Sequence, residues 1–79
     1  MNQIALTEAL KSLLIRWPAQ EINLQIGDIR VIVSNGAIFA DVLKTDEYPG
    51  ESGGVFTDPA LASAKITEFM TKYPWRPGD

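Results

Sequence analysis

Residues 22–44 read INLQIGDIRVIVSNGAIFADVLK, and the phase of this stretch decides the fold. Ile22, Leu24 and Ile26 alternate with Asn23 and Gln25, the period of a strand with one buried face. Gly27-Asp28 fits a two-residue hairpin turn with glycine at its first position. Ile29–Ser34 continues as a second strand, and Asn35-Gly36 is the strongest short hairpin signal. Ala37 through Lys44 then makes a third.

Two-residue turns at both sites fix a register. Ile26 faces Ile29, Leu24 faces Val31 and Ile22 faces Val33; on the other side Val33 faces Ile38, Val31 faces Ala40 and Ile29 faces Val42. All of these share one face, and all are apolar. The opposite face pairs Gln25 with Arg30, and Arg30 with Asp41, an opposite-charge contact worth about 0.2–1 kcal/mol. A slip of one residue in either strand would scramble both faces.

Helices flank this meander. Leu6, Ala9, Leu10, Leu13, Leu14 and Trp17 recur at helical spacing over residues 3–16, and Pro18 disfavours the helical conformation at Trp17. A second helix starts near Asp58, an N-cap residue, with Pro59 at the first helical position. Leu61, Ala62, Ile66, Phe69, Met70 and Tyr73 form its apolar side, and Pro74 ends it. One apolar sheet face and two helical stripes predict a two-layer α+β sandwich. Its order is α-β-β-β-α, with both helices on one face of a three-stranded antiparallel sheet. Residues 1–79 form a single domain, with 45–57 a flexible acidic loop and 74–79 a tail whose Trp75 is expected to pack on the core.

Composition narrows the chemistry. The chain has no cysteine and no histidine, which removes disulfides, a thiolate nucleophile, and the side chain most used for proton transfer near neutral pH. No basic n-region leads an apolar run, and no eighteen successive apolar residues occur, so a soluble, cytoplasmic protein without a signal peptide is expected. Of the net charge of −3, the middle holds the excess. Asp41, Asp46, Glu47, Glu51 and Asp58 stand against Lys44 alone. This is no footprint for a polyanion.

The stretch GESGGVFTDP, residues 50–59, invites a phosphate-loop reading, but Glu51 and Asp58 place negative charge there and Pro59 removes a donor. Neither GxxxxGK[ST] nor GxGxxG is present. The acidic residues lack calcium-loop spacing, and no carboxylate is placed to be raised in an apolar pocket for acid–base work. No enzyme, cofactor or metal is expected.

What remains after the core is assigned points to a partner. Ile32 and Phe39 face one another on the outer side of the sheet, between the Arg30–Asp41 and Ser34–Ala37 pairs. The third strand reads as an unblunted edge over residues 37–43. Partner-binding residues are thus expected at Ile32, Phe39 and Asp41, with Asp46, Glu47, Tyr48 and Glu51 on the acidic loop. The expected function is a non-enzymatic protein-binding module, an inhibitor or modulator of a protein with a basic surface, of the kind encoded by phages and mobile elements. The alternative is a structural homodimer or assembly subunit that pairs through the 37–43 edge.

The order α-β-β-β-α also resembles that of double-stranded-RNA-binding domains. That family requires a lysine cluster at the start of its second helix. Here the position reads Thr57-Asp58-Pro59-Ala60, and Lys65 is the first cation. RNA binding is the minor alternative.

Overall fold

Asn2 and Asp58 open the two helices. The Asn2 side chain accepts a hydrogen bond from the Ala5 amide at 2.7 Å, and Asp58 accepts from Ala60 at 2.9 Å; each satisfies a donor that the first helical turn leaves free. In the computed structural model, which describes residues 2–17 and 19–73, these caps start α1 (Gln3–Arg16) and α2 (Pro59–Lys72). Between them run β1 (Ile22–Ile26), β2 (Ile29–Ser34), β3 (Ala37–Val42) and β4 (Glu51–Phe56). The strands make one antiparallel sheet in the order β1-β2-β3-β4. The α+β two-layer architecture is as the sequence predicts.

The two turns behave as expected. Asn35 and Gly36 have φ of 50° and 77°, the pair of positive values that a type I′ turn needs, and Gly27, at 58°, suits the first position of type II′. The register follows residue for residue. Leu24 faces Val31, Val31 faces Ala40, Arg30 faces Asp41 and Ile32 faces Phe39. Ile29, Val31 and Val33 of β2 and Ile38, Ala40 and Val42 of β3 are buried beneath the helices. α1 lies over β2, and α2 over β3 and β4. Leu6 and Leu10 of α1 and Ala62, Ile66 and Phe69 of α2 complete the core. Ser63 is sealed inside, and its hydroxyl donates to the Pro59 carbonyl at 2.8 Å, so its burial leaves no group unpaired.

The fourth strand corrects three expectations. Residues 51–56 pair with β3 and are not part of a flexible loop; the connection shrinks to residues 43–50. The meander is four-stranded, and the order becomes α-β-β-β-β-α, which departs from the double-stranded-RNA-binding arrangement. The 37–43 segment is interior, hydrogen-bonded on both sides, so it offers no edge for a second chain. The tail and Trp75 lie outside the described residues.

The glycines that suggest a loop explain why β4 sits where it does. The β3–β4 register slips between Ala40 and Asp41, leaving Gly53 as the extra residue of a bulge. A Cβ at Gly53 would lie 2.7 Å from the Ala40 carbonyl oxygen and 2.8 Å from the Phe69 ring. Helix and sheet approach too closely there for any side chain. We expect Gly53→Ala to destabilise the chain by about 1–3 kcal/mol, measured by urea unfolding. Gly36→Ala meets no neighbour within 4 Å and carries only the backbone cost of a left-handed residue, about 1–2 kcal/mol.

Candidate functional site

The sheet face turned away from the helices is uncovered by any described element. Across it run two rows set by the register. The first is Asn23–Ile32–Phe39–Val55, and the second is Gln25–Arg30–Asp41–Ser52. Ile32 and Phe39 are half-buried by their neighbours, whereas Val55 is 65% exposed. Three adjacent strands therefore present one apolar stripe.

Arg30 and Asp41 border the stripe as a forked pair. The Arg30 Nε donates to Asp41 Oδ1 at 3.1 Å and Nη2 to Oδ2 at 2.5 Å, the bidentate geometry that arginine alone provides. The guanidinium also lies 6.0 Å from the centre of the Phe39 ring, at the outer limit of cation–π attraction. Hydrogen bonding to Asp41, reinforced by its charge, raises the Arg30 pKa.

Beyond Asp41 the 43–50 connection folds back and forms a shallow, open groove of about 380 Å³. Phe39, Asp41, Leu43, Lys44, Pro49 and Ser52 line it. The Thr45 hydroxyl accepts from the amides of Glu47 and Tyr48 at 3.1 and 3.0 Å, and the Thr45 amide donates to the Tyr48 carbonyl at 2.9 Å. These bonds make a tight turn with Asp46 and Glu47 exposed at its tip. Both carboxylates border the groove without lining it.

Glu51 also lines this groove, but it and Tyr48 are engaged with the end of α2. Tyr48 meets Tyr73 edge-on, with ring centres 4.8 Å apart. Glu51 accepts from the Tyr73 hydroxyl at 2.7 Å and from Lys72 Nζ at 2.9 Å. These contacts fasten the end of α2 to the start of β4. The structure thus brings Ile32, Phe39 and Asp41 together, sets Asp46 and Glu47 nearby, and gives Tyr48 and Glu51 partners within the chain. Val55 and Arg30 belong to the face as well. Val55 is missed by sequence reasoning because its strand is missed: ESGGVF lacks strand alternation, and its pairing is supplied by β3.

Among the described residues, no group of three or more acidic side chains is placed to hold a metal ion, and no helix is long and apolar enough to cross a membrane. No protein-family model, curated protein or solved structure matches the chain.

The Glu51 contacts carry a pH signature. Hydrogen bonds from Tyr73 and then Lys72 hold the carboxyl below its ordinary value of 4.5. The unfolded chain binds this proton more readily, so the contribution to stability is full above 4.5 and disappears as pH falls through the lower folded value. The urea midpoint of Glu51→Gln should therefore fall less steeply below pH 4.5 than that of the wild type. Parallel pH profiles would contradict the assignment.

Proposed function

We propose that the chain is a small protein-binding module that acts by occupying a partner's surface, as an inhibitor or modulator does, without chemistry of its own. The observation that carries this reading is the uncovered stripe of Ile32, Phe39 and Val55 beside the Arg30–Asp41 fork. A half-covered sheet with an aromatic centre and an arginine in fixed geometry has the composition of an interface hot spot. Apolar side chains exposed singly need no explanation, but a contiguous row does.

Charge suggests the partner's character. Asp46 and Glu47 project from the turn next to the groove, and the 41–58 segment holds five acidic residues against one lysine. A basic patch on the partner would be drawn to this side and its encounter accelerated at low salt. By analogy of size and acidic composition, we place the chain with the small inhibitors or modulators that phages and mobile elements encode.

The test is a pair of variants, Phe39→Asp and Val55→Arg, compared with wild type for capture of a protein and then for affinity with that protein purified. Both should keep the wild-type far-UV circular dichroism. Each should lose about 2 kcal/mol or more of binding, about thirtyfold in Kd. Wild-type affinity in both variants would remove this face from the function. Unfolding of Phe39→Asp would place the residue in the core and overturn the site assignment.

A further inference from the structure

With β3 interior, the sheet has two edges, and they differ. β4 is kinked by its bulge, and Gly54 sits at φ 94°, which deflects the strand from straight pairing. β1 has no such protection. Its five residues, Ile22-Asn23-Leu24-Gln25-Ile26, contain no charge, no proline and no glycine. Edges of this kind are open templates for another strand.

The hairpin register says which β1 backbone groups are left without a partner strand among the described residues. The two-residue turn closes on the Ile26–Ile29 pair, so Ile26, Leu24 and Ile22 exchange hydrogen bonds with β2, and the N–H and C=O groups of Asn23 and Gln25 point outward by alternation. The same alternation accounts for the Leu43 amide donating to the Asp28 carbonyl at 2.7 Å, two positions beyond the Arg30–Asp41 pair.

The side chains of β1 are unfinished in a matching way. Leu24 is 41% exposed although its cross-strand neighbour Val31 is 2% exposed. Ile22 and Ile26 are only half-buried. α1 lies over β2, leaving the core side of β1 incompletely covered.

We propose that this chain forms a twofold dimer in which β1 pairs antiparallel with β1 of a second copy, making one continuous sheet. The occupant is identified by the strand's own symmetry. About Leu24 the segment is a chemical palindrome: isoleucine, amide, leucine, amide, isoleucine. A twofold axis through Leu24 sets Leu24 against the partner's Leu24, Ile22 against the partner's Ile26, and Asn23 against the partner's Gln25. That is what an isologous interface requires. In this register Asn23 and the partner's Gln25 are opposite with their free backbone groups facing, so they form the hydrogen-bonded pair.

Neighbouring registers of the same kind fail. Centring on Asn23 puts Ile26 against the partner's Gln20, and centring on Gln25 puts Ile22 against the partner's Asp28. Only the Leu24 register keeps every apolar side chain matched on the helix side and every amide matched on the other. The nearest acidic groups, Glu21 and Asp28, lie at the ends of the seam, where salt screens them. The seam does not use Ile32, Phe39 or Val55, so the dimer stands or falls apart from the partner-binding face.

The experiment combines sedimentation equilibrium of the full chain with residue-resolved amide exchange, at physiological ionic strength of about 0.15 M. Wild type should pass from one to two chain masses as concentration rises. Over the same range the Asn23 and Gln25 amides should gain protection, while the Leu24 amide, bonded to β2, stays protected throughout. Asn23→Pro removes an outward N–H at a position where an edge strand tolerates proline, and Leu24→Lys sets two cations against each other on the axis. Each should remain monomeric with the wild-type circular dichroism, and Phe39→Asp should dimerise like wild type. A wild type that stays monomeric at millimolar concentration overturns the proposal. So does a dimer in which Asn23 and Gln25 keep exchanging freely, or one that Leu24→Lys leaves intact.

Discussion

Two tight turns set the phase on which the rest of this structure depends. Gly27 and the Asn35-Gly36 pair adopt positive φ, and each reverses the chain with two residues between paired positions. Because side chains alternate strictly, that spacing places Ile29, Val31, Val33, Ile38, Ala40 and Val42 on one side together. The helices then have a continuous surface to cover. The same phase turns Arg30, Ile32, Phe39 and Asp41 outward. Core and candidate face are two consequences of one constraint.

The close approach of α2 to the sheet is the second element. Phe69 and the Ala40 carbonyl crowd Gly53 so tightly that a methyl group would not fit there. The bulge that puts Gly53 there also bends β4. Glu51, at the start of that strand, accepts from both Lys72 and Tyr73. The residues that look like an acidic, glycine-rich loop in the sequence are therefore partly an anchor for the last helix. Their glycines serve packing and a bulge.

The first three strands and both helices were legible because each local signal agreed with the pattern around it. Asp58 followed by Pro59 is a plain helix start, whereas the Asn2 cap emerges only from the structure. β4 was not legible. Its sequence, ESGGVF, has low strand propensity and a broken alternation, and its pairing comes from β3 and α2, which are distant in sequence. The candidate face was half legible. Ile32 and Phe39 fell out of the register; Val55 could not, because it joins the stripe only through a strand that tertiary contact creates. The edge is misplaced for the same reason: the fourth strand pairs with the far side of β3 and takes its place as an edge, and β1, an edge in either case, is the one without a bulge.

Nuclear Overhauser contacts in solution test the phase most directly. The Phe39 ring should show cross-strand contacts to the methyl groups of Ile32 and Val55, while Val31 and Ile38 show contacts to the side chains of α1 and α2. Contacts from the Phe39 ring to Leu10, Ile66 or Phe69 would mean that the sheet presents its other face to the helices, and would contradict the account from its first step.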